Sequence, residues 1–470
     1  MTSIVISKAP LLAANRRQMM FGITTAAAVF CATPVWAQSG PLIRASNLGI
    51  RAGSNAGPAL QRALDNLSAQ GGGTLQIDGR YRAGILVVRG QNILIDGQGG
   101  TLVDTRLVLA PQARNISIRG LTLLETRGQA DSYLMDISAR DCRFENISLI
   151  KQPMAGGYQA YLRSDSSNCT FRGLRLAGSN GIFVAGTRHV FDGFDFTSTL
   201  RRDMGGDDAF ALKGAGTVTS DITIANGTVR GFAAAVSIGS EVGSSSEHRG
   251  QGAVRRVRVT NVTADRCQRL CFIKPGALIY DWRNGVVEDI VLDGMRLTDP
   301  TGFLFVSGIT ITAARGARVR GITARNIQMD ARAHSRGVTP TAAVDIVIRP
   351  DRPGALIEDI DLSFSFDGSG QAGHPVDQIV RIQKDNAAIG TMRNISIDAT
   401  GRESSFAGIY VGPGLDDAVT IRRARLRRVA TDPPSSLGAA GIWTDSRMTV
   451  QDSNIETIRA PARAGRGQRR

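Results

Sequence analysis

One short phrase recurs along the chain, with apolar and polar residues alternating on either side of a Gly or Asn. It reads Asn115-Ile-Ser-Ile-Arg-Gly-Leu-Thr-Leu123, then Asp141-Cys-Arg-Phe-Glu-Asn-Ile-Ser-Leu149, Asn168-Cys-Thr-Phe-Arg-Gly-Leu-Arg-Leu176 and Arg188-His-Val-Phe-Asp-Gly-Phe-Asp-Phe196. The alternation continues in the stretches 221–229, 256–262, 288–292, 392–397 and 419–426. A period of two places every second residue on one face of a strand, and Gly or Asn accepts the backbone needed to turn a corner. Each phrase is therefore two short strands meeting at a bend. Such a unit cannot bury its inner face alone, so units of roughly 20 to 35 residues must stack into a solenoid. The pattern predicts an all-β chain, a right-handed parallel β-helix over residues 38–458.

Equivalent positions in successive phrases should stack about 4.8 Å apart. Cys142 and Cys169 hold one inward position, which Ile116, His189, Ile222 and Val257 fill in other phrases. The spacing permits a Cys142–Cys169 disulfide without requiring one, and the state of Cys267 and Cys271 is equally open. His189 reads as a buried, hydrogen-bonded core residue.

A solenoid needs its ends covered. Residues 57–70 carry Leu60, Ala63, Leu64 and Leu67 at helical spacing, with Pro58 near the start and Gly71-Gly-Gly73 as a stop, and predict a capping helix. Residues 459–470 hold Arg, Gly, Ala and Pro without periodicity and predict a basic, disordered tail. At the other end, Arg16-Arg17 precedes the apolar stretch 22–36, and Val35-Trp36-Ala37 approximates a cleavage site. Residues 1–37 thus resemble a twin-arginine export signal, which implies a periplasmic or secreted protein with no membrane attachment after cleavage.

The composition sharpens this picture. Among 470 residues there are 54 Gly and only 5% aromatics, which excludes a helical bundle, and 42% hydrophobic residues exclude general disorder. The formal charge of +15 favours an anionic partner. Nucleic acid is disfavoured, because the basic residues are spread along the chain without a recognition module and the compartment is wrong. Charge alone does not choose between acidic polysaccharide and lipid headgroups; an acidic polysaccharide, bound by a monomer, is the partner expected from the acidic pair and the resemblance given below.

Chemistry on a β-helix sits on an outer face. Gly205-Gly-Asp-Asp-Ala-Phe-Ala-Leu-Lys213 places two adjacent carboxylates at a strand start, and such pairs serve acid and base catalysis on glycosidic bonds when one is protonated and one ionised. Asp416-Asp417 after Gly414 reads as an ordinary solvated turn. Repeat alignment stacks Asn180, Asp208, Ala234 and Arg269 in one column. Only four lysines follow residue 37, and two of them, Lys213 and Lys274, fall at equivalent outward positions two coils apart. With Arg163 and Arg269 they predict a cationic strip for acidic sugars, and Phe183 and Phe272 in the neighbouring row could stack on sugar rings.

Three successive coils resemble the polygalacturonase family, family 28 of the glycoside hydrolases within the pectin-lyase-like superfamily. Gly206-Asp-Asp-Ala-Phe-Ala-Leu-Lys213 is similar to that family's Gly-Asp-Asp strand, Val236-Ser-Ile-Gly-Ser240 to the strand after its histidine, and Cys271-Phe-Ile-Lys274 to its Arg-Ile-Lys strand; the likeness spans residues 47–330. It implies Asp207 as general acid, Asp208 as a holder of the attacking water and Lys274 as a ligand of a substrate carboxylate; Ser237 and Phe272, on the matching strands, are further candidates for substrate binding. Departures are Asn180 where the family has a second water-positioning Asp, Ala234 where it has His, and Phe272 where it has Arg. An amide can orient water but cannot accept its proton, so catalysis would fall to Asp207 and Asp208, with Asn180 as an orienting group.

The expected function is hydrolysis of a uronate-containing polysaccharide without a cofactor. Two alternatives stand beside it. A lyase would use a Lys or Arg base, with Ca²⁺ or another cation neutralising the uronate; a non-catalytic polysaccharide binder would merely have kept the fold.

Overall fold

The computed structural model describes residues 40–51, 54–128, 133–151, 157–200, 206–276, 281–298, 307–330, 342–350, 353–368, 376–385, 388–431 and 441–459. All belong to the unit Gln38–Arg470. The expected export signal and residues 460–470 of the expected tail lie outside the described residues.

The chain winds into a parallel β-helix, as the repeating phrase predicts. One coil shows the plan. Strand Val218–Arg230 lays down a first face, bends at Asn226, continues as a second face, and after Gly231 the chain enters a third face, strand Phe232–Gly243. Corresponding strands of neighbouring coils pair in parallel on every face. The bend is where the sequence placed it: Gly120, Asn146, Gly173, Gly193, Asn226, Asn261, Gly294 and Asn326 all have φ between 54° and 69°. Gly, which has no Cβ, and Asn, whose short polar side chain bonds locally, reach this region at least cost, which is why one or the other stands at each of these corners. The Asn226 amide donates to Asp192 Oδ1 at 2.8 Å, and Asn261 donates to Asn226 Oδ1 at 3.1 Å, so the corner side chains form their own ladder.

Inward positions stack by type. On the third face Ile182, Phe210, Val236, Cys271, Ile309, Val344 and Val380 are register partners in succession. Inside the first face Phe144, Phe171 and Phe191 stack nearly parallel, with centroids 4.3 and 4.7 Å apart. Cys142 and Cys169 lie one rung apart and buried, as expected, and both are free thiols, as are Cys267 and Cys271. His189 is fully buried. Its Nδ1 accepts from the Cys169 backbone N–H at 3.2 Å, which leaves Nε2–H to donate to Ala185 O at 3.1 Å, and burial brings its pKa down to about 4. It is a neutral core histidine.

Helix Gly57–Ala69 covers the N-terminal end, burying Leu60, Ala63, Leu64 and Leu67. Gln61 also stitches it to strand Arg80–Val88: its amide donates to Val87 O at 2.9 Å and accepts from Val87 N–H at 2.8 Å. A strand edge that would otherwise invite another chain is closed.

Candidate functional site

The third face carries the acidic pair. Asp207 N–H donates to Ser179 O, and Gly181 N–H donates to Asp208 O, so Asn180 sits on the rung next to the pair. Asp208 is in register with Ala234, and Ala234 with Arg269. The column anticipated from the repeat therefore exists, and all four residues occupy it.

The pairing of the lysines differs from expectation. Lys213 and Lys274 were expected to offer open ammonium groups, yet each is engaged by a carboxylate. Lys274 Nζ lies 3.5 Å from Asp208 Oδ2, both largely buried, and Lys213 is buried in an ion pair with Glu241. Arg163 is likewise tied, through Nε to Asp136 Oδ1 at 2.6 Å, and its guanidinium lies 4.8 Å from the Tyr161 ring centroid. The expected cationic strip is thus a set of neutralised pairs. Arg269 is different: half-buried overall, it has an Nε with no partner, and its guanidinium rests 4.5 Å from the Phe272 centroid with no carboxylate bound among the described residues. Burial pulls its pKa down to about 10 against the pull of Asp208 and Asp345.

Glu241 was not foreseen. The register explains why: Leu212 pairs with Ile238 and Gly214 with Val242, so three residues, Gly239 to Glu241, stand opposite the single Lys213. The bulge turns Glu241 outward beside the lysine. Such irregularities re-aim side chains at sites, and a phrase search reads through them because two extra residues leave the alternation in phase. Gly239 is obligatory in this bulge, with φ 111° and with Lys274 backbone atoms 2.7 Å from where a Cβ would stand.

The electrostatics separate the two aspartates. Asp207 is exposed at the strand start, yet desolvation by its neighbours, then the Asp208 charge, raises its pKa, with Glu241 adding to the rise and Lys274 and Lys213 opposing it. Asp208 is held by Lys274. One carboxyl disposed to keep its proton beside one paired with a cation is the division that acid and base catalysis needs.

Tyr158 is a second unforeseen neighbour. Burial first, then Asp208, Asp207 and Glu241, drive its phenol well above the usual range, so it stays protonated. It belongs to an aromatic wall on the N-terminal side: Tyr161 and Phe183, in register, stack at 4.9 Å, Tyr158 meets the Phe183 ring edge-on at 5.8 Å, and Tyr133 lies 4.7 Å from Tyr161. Phe183 thus joins the partly exposed wall. Phe272 instead lies between Arg269 and Lys274, whose Nζ is 4.4 Å from its centroid. Ser237, between Ala211 and Phe272 in register, is fully covered, its hydroxyl unpartnered. Asp416 and Asp417 are exposed and pair with Arg447, as a solvated turn would.

No family model matches the chain, and no curated protein matches it. Solved structures do match. A tailspike protein double mutant of E. coli bacteriophage HK620, altered at an Asp and a Glu and in complex with a pentasaccharide, aligns with a TM-score of 0.57 at 14% identity over 88% of this chain and 78% of that chain. A single-site tailspike mutant of the same phage, also in complex with a pentasaccharide, gives 0.59 at 14% identity over the same shares. At such identities the likeness establishes the parallel β-helix fold.

Proposed function

We propose that this protein is an exported glycoside hydrolase that cleaves an acidic, uronate-containing polysaccharide on its third face. One observation carries the reading: Asp207, with its raised pKa, stands beside Asp208, which is paired with Lys274, while Arg269, two rungs along the column of Asp208, binds no carboxylate among the described residues. Asp207 donates its proton to the leaving glycosidic oxygen. Asp208, with the Asn180 amide on the adjoining rung, holds and activates the water. Arg269 takes the uronate carboxylate, since Lys213, Lys274 and Arg163 already have acidic partners. Tyr161, Phe183 and Tyr158 offer apolar ring faces to sugars on the N-terminal side. The division of labour is polygalacturonase-like, with Glu241 supplying a third carboxylate. The reaction needs no cofactor, and tailspike structures bound to a pentasaccharide are consistent with oligosaccharide recognition on this fold.

A lyase is the second reading, and one feature favours it. With its pKa lowered to about 10, Arg269 is a stronger candidate base than an ordinary arginine for removing the proton beside a uronate carboxylate. That carboxylate would then need its charge neutralised by Lys274 or by Ca²⁺. Incubating the full protein with polygalacturonate, alginate and hyaluronate separates the readings. New reducing ends without ultraviolet absorbance support hydrolysis. An absorbing unsaturated product means a lyase, and tight binding without cleavage means a binder.

A further inference from the structure

A groove of about 420 Å³ crosses the second face several coils beyond the acidic pair. One row of register partners runs through it: Arg296, Gln328, Ser365, Thr400 and Arg425. The first four are exposed and the last half-buried. The four rung steps span about 19 Å and present one outward polar group per coil, uncharged in the middle and cationic at both ends. The apolar neighbours Leu297, Met329 and Phe366 are buried beneath.

The charge balance of the groove is positive, with four guanidinium groups against the carboxylates of Asp330 and Asp367. Arg402 is paired with Asp367 at 2.6 Å and Arg425 with Asp452 at 2.6 Å. Arg296 and Arg427 have no acidic partner among the described residues. A partner protein would look for exposed apolar anchors, and a single-stranded nucleic acid for outward aromatic rings; neither lines the groove. A row of hydroxyl and amide groups, with the acid-free Arg296 at one end and the acid-free Arg427 two residues beyond the other, suits a hydroxyl-rich, extended polyanion.

We propose that this groove is an auxiliary binding site for an acidic polysaccharide chain, separate from the Asp207–Asp208 pair. It begins three coils after the pair, about 14 Å along the axis, on the face that leads into the third face in every coil. A polymer held here is kept near the acidic pair without occupying it. The proposal does not depend on the pair being catalytic.

The test uses the full chain carrying Asp207→Asn, so that no polymer is consumed. Calorimetric titration with polygalacturonate, alginate and hyaluronate should show, for at least one of them, a binding class that Arg296→Ala/Arg427→Ala weakens about tenfold and makes less salt-sensitive. Charge reversal, Arg296→Glu/Arg427→Glu, should weaken it further. Removing two exposed arginines elsewhere, Arg62→Ala/Arg318→Ala, should leave it unchanged. Equal weakening by the Arg62/Arg318 control overturns the proposal, because the effect would then be net charge alone. So does parental binding by the groove variant, equally tight binding of neutral dextran, tighter binding of duplex DNA, or no binding of any acidic polymer. If the Asp207 parent cleaves nothing while the groove still binds, the proposed hydrolysis fails and the groove stands.

Discussion

Lys274 Nζ lies 3.5 Å from Asp208 Oδ2 although the two residues sit two coils apart. The coil between them contributes Ala234 beside Asp208 and Gly239 beside Lys274. Neither blocks the path, so a cation from one coil stabilises an anion two rungs away.

Lys274→Met should therefore strand a buried carboxylate. Breaking one partner of a buried pair costs about 3 kcal/mol, so the thermal midpoint should fall clearly while a Lys274→Arg variant recovers part of the loss. An unchanged midpoint in calorimetry would mean that solvent already screens Asp208.

Asp207→Asn should abolish most cleavage and yet stabilise the fold. General acid catalysis contributes about 10²- to 10⁴-fold, and that is the loss expected in kcat. The stability effect follows from linkage. A carboxyl whose pKa is higher folded than unfolded makes the folded state bind more protons, so stability falls as pH rises from 3.8 through the folded value. The amide carries no such penalty. Chemical denaturation should show the variant more stable than the parent at neutral pH, with the gap closing toward pH 3.8.

Glu241→Gln removes a negative charge that helps raise Asp207 and releases the positive charge of Lys213. Both changes lower the Asp207 pKa. The alkaline limb of the pH–rate profile, where the acid loses its proton, should shift to lower pH. Burying Lys213 without its partner should also lower the melting temperature. A profile that stays in place would detach Glu241 from the site.

His189 predicts a separate pH effect. Its pKa falls from 6.5 to about 4 on burial, so the unfolded chain takes up a proton before the folded one as pH drops. Stability should decline from pH 6.5 and level off below about 4, a component worth about 3 kcal/mol. In His189→Gln that component should vanish from the stability–pH curve, whatever the variant's absolute stability.

The fold was legible because its information is local and repeated. Alternation fixed which side chains point inward, and the Gly or Asn at 120, 146, 173, 193, 226 and 261 fixed the corners. The cap was legible from Leu60, Ala63, Leu64 and Leu67. Within the site, repeat counting placed Asn180, Asp208, Ala234 and Arg269 in one column correctly. It could not read charge pairing, which depends on where long side chains end rather than where they start. Lys213 and Lys274 looked free because Glu241 was hidden by the bulge and because Asp208 is two coils from Lys274. Tyr158 escaped notice for a similar reason: it lies two residues before strand Ala160–Leu162, outside any phrase. A search for acidic residues in bulge-length insertions opposite outward lysines would have found Glu241.

The bulge at Gly239–Glu241 adds two residues, not one. An odd insertion would reverse every later side chain of the strand and send Val242 to solvent, whereas an even one returns the alternation to its previous phase. Ile238 and Val242 are accordingly both buried on either side of it. A solenoid of this kind thus has a parity rule for acquiring new chemistry: residues can enter an outer face in pairs while the interior beneath them stays unaltered. Whole coils set the length of such a protein, and paired insertions provide the vocabulary from which its surfaces are rewritten.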